Sequence, residues 1–113
     1  MHELALAEGV LQIVEEAARR EGLQRIRSVW LEIGQLSSVE PDAMRFCFDA
    51  VARDSVAEGA RLEIIATAGA AWCRDCSQPV ALAALGDACP DCGGYRLRVT
   101  AGAGMRVKEL EAE

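Results

Sequence analysis

The sequence has no run of ~18 apolar residues, so no segment is long enough to cross a membrane as a helix. It has no excess of positive charge: twelve lysines and arginines stand against eighteen aspartates and glutamates, a net charge of -6. A sequence-independent grip on nucleic acid or on anionic lipid needs a positive surface, so neither is an expected partner. The N-terminus has no basic n-region and reaches Glu3 at once, unlike a secretory signal. No nucleophile stands with a base, and no glycine-rich phosphate loop occurs, so the chain is not expected to be an enzyme. Histidine is nearly absent, with His2 the single example.

What remains is an ordinary globular composition. The 113 residues are 51% hydrophobic and 27% charged, enough for one domain that carries a smaller module. Bulk disorder is not expected. The chain reads as cytoplasmic, where thiols stay reduced. Its five cysteines then point to a metal or a reaction rather than to a disulfide framework.

Leu4, Ala7, Leu11, Val14 and Ala18 recur at helical spacing, with Val10, Ile13 and Ala17 widening the stripe. Glu15 and Glu16 precede Arg19 and Arg20 by four residues, the favourable order for helical ion pairs. Gly22 suits the C-terminal cap. Val29, Leu31 and Ile33 then alternate as a strand. A second helix is expected to start between Ser38 and Pro41, burying Met44, Cys47, Phe48 and Val51. Cys47 lies on that stripe and reads as an inert core residue. A second strand places Leu62, Ile64 and Ala66 on one side. Small residues at 67–71 suit a linker. Beyond the cysteine-rich stretch, Leu97 and Val99 alternate, 101–104 form a break, and Met105, Val107 and Glu109 resume period two.

The expected fold class is therefore α+β. A small mixed domain, with two helices on a three-stranded sheet, occupies residues 1–68 and is completed by a final strand in 101–113. A zinc-ribbon-like module is inserted at 69–100.

Cys73-Arg-Asp-Cys76 and Cys89-Pro-Asp-Cys92 are two C-x-x-C pairs. Each can turn as a tight knuckle, and two knuckles can present four thiolates tetrahedrally to a metal. Pro90 stiffens the second, and Gly93-Gly94 allow positive φ. Structural Zn(II) is the leading reading. Rubredoxin-like iron uses similar geometry, and a redox C-x-x-C leaves one pair unexplained. Four protein ligands leave no position for an activated water, which disfavours a catalytic zinc. Residues 72–94 carry too little apolar material to fold alone.

His2 admits two readings. A lone histidine at a terminus is ordinarily a solvated side chain. Its neighbours change the weight: His is too bulky a second residue for efficient removal of Met1. An α-amine, the amide nitrogens of His2 and Glu3, and an imidazole then lie within a few bonds. Such a planar nitrogen field suits Ni(II) or Cu(II) better than zinc.

The opening Met1-His2-Glu3-Leu4, the Ile33-Gly34 strand end, the doubled C-x-x-C and the tail from Met105 together strongly resemble the HypA/HybF family of hydrogenase nickel-insertion proteins. The resemblance runs over essentially the whole chain. It implies a nickel metallochaperone that works with a HypB-type GTPase on the hydrogenase large-subunit precursor, with urease as a second destination. It implies Ni(II) as cargo at the N-terminus, with His2 essential and the Glu3 amide contributing. It implies structural zinc on Cys73, Cys76, Cys89 and Cys92. Glu40 occupies a place where relatives often carry an acidic residue near the nickel end. A homodimer is left open. Some relatives flank the zinc cysteines with histidines; here Ser77 and Gly93 follow the pairs, so a nickel- or pH-responsive zinc site is not carried over.

The competing function is a zinc-ribbon adaptor in transcription or RNA processing. Against it, the stretch between the cysteine pairs holds Asp75, Asp87 and Asp91 but only Arg74 as a base, and no aromatic platform.

Overall fold

Twenty residues from His2 to Glu21 form helix α1, and its end is fixed by a Schellman cap. Gly22 adopts φ +66°, its N–H donates to the Arg19 carbonyl, and the Leu23 N–H donates to the Ala18 carbonyl at 2.9 Å. The computed structural model describes residues 2–113. Ala7, Val10, Val14 and Ala18 are the buried stripe of α1, whereas Leu4 and Ile13 are exposed. The expected stripe was thus too wide. Three- and four-residue steps alone do not say how broad a surface the partner offers.

Strand β1, Ile26–Gly34, buries Val29, Leu31 and Ile33 as the alternation demands, and Ile26 and Ser28 as well. Helix α2, Pro41–Val51, starts one residue after its cap, and that cap is Glu40. The Glu40 carboxylate accepts the Ala43 N–H at 2.7 Å. Ser38 instead takes a left-handed φ of +62° in the preceding turn. Met44, Cys47 and Phe48 are buried and Val51 is half-buried. Strand β2, Arg61–Thr67, buries Leu62 but leaves Ala66 exposed, so its expected face is not buried throughout.

Strands β3 (Ala70–Cys73), β4 (Gln78–Ala81), β5 (Leu97–Ala101) and β6 (Met105–Ala112) complete the chain. The sheets are three-stranded, in the orders β2-β1-β6 and β4-β3-β5. The final strand thus returns to the first sheet, as the sequence order suggests. Because β2 ends at Thr67 and β3 begins at Ala70, the expected linker shrinks to Ala68 and Gly69.

The chain gathers into two compact units. The first takes the chain up to Glu32, with Val39–Ile65 and Arg106–Glu113. Here α1 packs on α2, and the Arg106 guanidinium donates to the Glu32 carboxylate. Its core is Val14, Ile26, Val29, Leu31, Met44 and Phe48. The second unit takes Ile33–Ser38 and Ala66–Met105. In it β3 pairs antiparallel with both neighbours, matching Trp72 with Pro79 and with Arg98. Its core is Leu36, Ala71, Cys73, Val80, Leu82 and Cys89, with Cys76 and Leu97 against it. Glycine is required at one crossing in this unit: a Cβ on Gly34 would fall on the Gly102 carbonyl, and Gly102 itself has φ +81°.

Candidate metal centre

Strand β3 ends at Cys73, and the chain turns at once through Asp75 and Cys76 into β4. The second pair lies in the stretch before β5. Both turns close with a left-handed residue directly after the second cysteine, Ser77 at φ +53° and Gly93 at φ +74°. The first turn pays a small strain for a side chain there; glycine removes it in the second. Within each knuckle an amide points at sulfur. The Cys76 N–H lies 3.4 Å from Cys73 Sγ, and the Asp91 N–H 3.4 Å from Cys89 Sγ. The second knuckle is also tied by Cys89 N–H to the Gly94 carbonyl (2.7 Å) and Gly93 N–H to the Cys89 carbonyl (2.9 Å).

The four sulfurs of Cys73, Cys76, Cys89 and Cys92 all lie within 4.8 Å of one another. The Cys73–Cys92 separation is 3.7 Å and the Cys76–Cys89 separation 3.9 Å. A regular tetrahedron with Zn–S near 2.3 Å has sulfur edges of ~3.8 Å. Donor type, number and spacing therefore fit a tetrahedral, thiophilic divalent ion such as zinc. Cys73 and Cys89 are buried, Cys76 is half-buried and Cys92 is exposed.

The electrostatics agree with that use. The amides of Cys92 and Asp91 pull the Cys89 thiol down to about 7. The Cys92 thiol beside it, together with burial, pushes the Cys76 thiol far above its ordinary value. Four thiolates cannot sit this close without a cation, so the cluster keeps thiol protons that a metal would displace.

Two polar contacts join the knuckles, and no sequence pattern singles out their donors. Gln78 Nε2 donates to Asp91 Oδ2 at 2.9 Å, and Arg96 donates to Asp75 Oδ1 at 3.0 Å. The available signal was an aspartate at the third position of both C-x-x-C pairs.

At the other candidate site, His2 is the first residue of α1 and is exposed. Met1 lies outside the described residues. The first four N–H groups of any α-helix have no intrahelical acceptor, so the His2 and Glu3 amides are not tied into the helix ladder. Glu40 comes to this end despite 37 residues of separation: its N–H donates to Glu3 Oε2 at 3.3 Å. The Glu3 carboxyl is held below the usual carboxylate range by its own amide and then by that of Glu40. Cys47 sits in the buried stripe of α2 and is not one of the four clustered thiols.

A family model described as hydrogenase/urease nickel incorporation, metallochaperone, hypA matches residues 1–112. The chain belongs to the HypA family. Hydrogenase maturation factor HypA of Albidiferax ferrireducens is 62% identical over 113 residues, covering all of both chains. A protein of that name from Rhodopseudomonas palustris is 57% identical over the same span. The solution structure of the Ni metallochaperone HypA from Helicobacter pylori superposes with a TM-score of 0.72 at 26% identity, covering 97% of this chain and 96% of that one. Within that family's fold, this chain carries the four-cysteine cluster and an exposed His2 at the start of α1.

Proposed function

We propose that this chain is a cytoplasmic nickel carrier for hydrogenase maturation, not an enzyme. It binds one Ni(II) at its N-terminus and passes it, with a HypB-type GTPase, to the hydrogenase large-subunit precursor. The observation that carries the reading is the family match over residues 1–112, which includes His2 and Glu3 at the start of α1. The nickel ligands are the amine of Met1, the amide nitrogens of His2 and Glu3, and the imidazole of His2. Glu40 supports the site through its contact with Glu3 and is a weaker candidate for a direct role. The exposure of His2 suits a carrier, because cargo must also leave.

Cys73, Cys76, Cys89 and Cys92 hold Zn(II) as a resident structural ion. The sulfur spacing supports this, and four thiolates close the coordination shell. The ion supplies cross-linking of the two knuckles and no reaction.

The deciding experiment is metal analysis of protein with its native N-terminus, before and after nickel addition. One zinc as purified and one added Ni(II) per chain are expected. His2→Ala should abolish tight nickel binding and spare zinc. A single residue added before Met1 should do nearly the same, since it moves the amine out of the chelate and keeps the imidazole. Nickel bound equally tightly by the extended protein would sink the terminal chelate.

A further inference from the structure

The two knuckles are related by more than their cysteines. Each carries aspartate at its third position, and each aspartate is held by a residue that follows the other knuckle. Asp91, inside the second knuckle, accepts from Gln78, two residues after Cys76. Asp75, inside the first, accepts from Arg96, four residues after Cys92. The exchange is reciprocal. Both contacts are solvent-exposed, with Arg96 and Asp75 side chains 67% and 40% accessible. Exposed pairs of this kind add little to folding stability. Burial of core surface does not explain them either, because none of the four side chains belongs to the core of this unit.

Their location suggests a different role. The Asp91 side chain is held by Gln78 while its backbone N–H faces Cys89 Sγ. Asp75 is held by Arg96 one residue before Cys76, whose N–H faces Cys73 Sγ. In each case the clamp fixes the peptide segment that aims an amide at a sulfur. Amide-to-sulfur bonds stabilise thiolate, and groups that orient ligands tune a metal site as strongly as many direct contacts. A thiolate centre also has to keep out other ions. Copper outcompetes zinc at most donor sets and nickel competes for the same thiolates, so a protein that handles nickel gains from a centre that also opens slowly.

We propose that Gln78–Asp91 and Arg96–Asp75 form a reciprocal clamp that slows opening of the four-thiolate centre, so that its zinc exchanges neither with chelator nor with nickel cargo. Gln78, Asp75, Asp91 and Arg96 are positioning residues: they act through the knuckles and touch no metal. The inference rests on zinc occupying the four thiolates.

The test is zinc release from the full, zinc-loaded chain to a colorimetric chelator in excess, followed in time. Gln78→Ala and Arg96→Ala each remove one half of the clamp from outside the knuckles. Each should speed release several-fold, and the double variant about 10–100-fold, the usual cost of losing such support. Gln78→Lys offers Asp91 a charged donor and should restore slow release. Arg61→Ala removes a comparably exposed pair, with Glu63, in the other unit and should change nothing. Nickel added to the double variant should displace zinc measurably faster than from the parent, read by the colour of thiolate–nickel absorption. Release rates within twofold of the parent in all the clamp variants would overturn the proposal. So would equal acceleration by Arg61→Ala, which would mark a general loss of stability. A parent protein holding no zinc would instead overturn the reading of the cysteine centre itself.

Discussion

The first unit buries Phe48, Ile26, Leu31, Met44 and Val29 almost completely. The second buries Leu36, Val80, Leu82 and Ala71, and fills the rest of its core with Cys73 and Cys89. Large apolar side chains contribute roughly 1.5–3 kcal/mol each on burial, while ordering a backbone residue costs about 1–2 kcal/mol. The first unit can meet that cost by packing between its helices and its sheet. The second has only Ile33, Leu36, Val80 and Leu82 as large buried apolar side chains, with Leu97 against them. The sulfurs of Cys73 and Cys89 belong both to that core and to the candidate metal centre, so a metal held there would bear directly on the fold. The same contrast separates the two candidate metal sites: four clustered thiols in the second unit, and the proposed nickel chelate at the exposed His2 of the first.

The strongest way to break this contrast is to remove the zinc. Binding in comparable small modules is worth roughly 10–16 kcal/mol, at least as much as the second unit's few large apolar side chains supply. Chelation, or Cys73→Ser, should unfold the second unit and leave the helical circular dichroism of α1 and α2 largely intact. Backbone amide spectra should lose the signals of 70–101 selectively. Unchanged spectra throughout would remove the distinction between the units. Acid should act in the same direction. Zinc displaces thiol protons, so its apparent affinity falls as pH falls. With the Cys89 thiol at about 7 and Cys76 far above its ordinary value, the fall should already be steep below neutrality.

The complementary experiment attacks the first unit. Phe48→Ala removes its largest fully buried side chain and should cost about 3–5 kcal/mol through lost transfer and a residual cavity. Zinc content should stay at one per chain. A smaller cut, Cys47→Ala, should cost on the order of 1–2 kcal/mol and again spare zinc. Loss of zinc in Cys47→Ala would show that this thiol is a ligand and that one of the four is not.

The sequence was most readable where one physical rule acted alone. Gly22 after a run of helical spacing, and strict alternation at Val29, Leu31 and Ile33, led directly to a Schellman cap and a buried strand. The paired C-x-x-C spacing indicated a four-sulfur cluster, because few other uses require both pairs. It was least readable where distant segments compete. Ser38 is a good cap by propensity, yet Glu40 reaches the Ala43 N–H and Ser38 is spent on the turn. Ile13 fits the helical stripe but finds no partner to cover it. The small residues at 67–71 looked like linker. In fact Gly69 donates its N–H to Gln35 and accepts from Leu82, so smallness there serves close approach. The segment Ile33–Ser38 joins the cysteine unit through such contacts, which no local pattern announces. At the candidate sites, residue types and spacings were legible. The clamp partners Gln78 and Arg96, and the meeting of Glu40 with Glu3, were not, since each depends on a fold-level return of the chain.

The smallest expected effect lies at the open end and sharpens the contrast from the other side. Glu3 is held below the ordinary glutamate value of about 4.3 by its own amide and by the Glu40 amide. A carboxyl depressed in the folded state adds stability that is fully present above its unfolded value and is lost as pH falls through its folded one. The window is therefore below pH ~4.3, well under the range in which the thiols of the cysteine centre take up protons. A carboxyl-carbon titration should give Glu3 a midpoint beneath the ordinary value. The Glu40 amide proton should shift with it, because that N–H donates to Glu3 Oε2. Glu3→Gln tests that link directly. Glutamine keeps an acceptor but has no proton to gain, and the Glu40 amide should then lose the component that tracks Glu3. Zinc content, set in the other unit, should not change. If the Glu40 amide shift follows pH identically in Glu3→Gln and the parent, the contact that draws Glu40 to the start of α1 does not form in solution. The open site would then be simpler than proposed here: a terminal amine, two amides and one imidazole, with no support from α2.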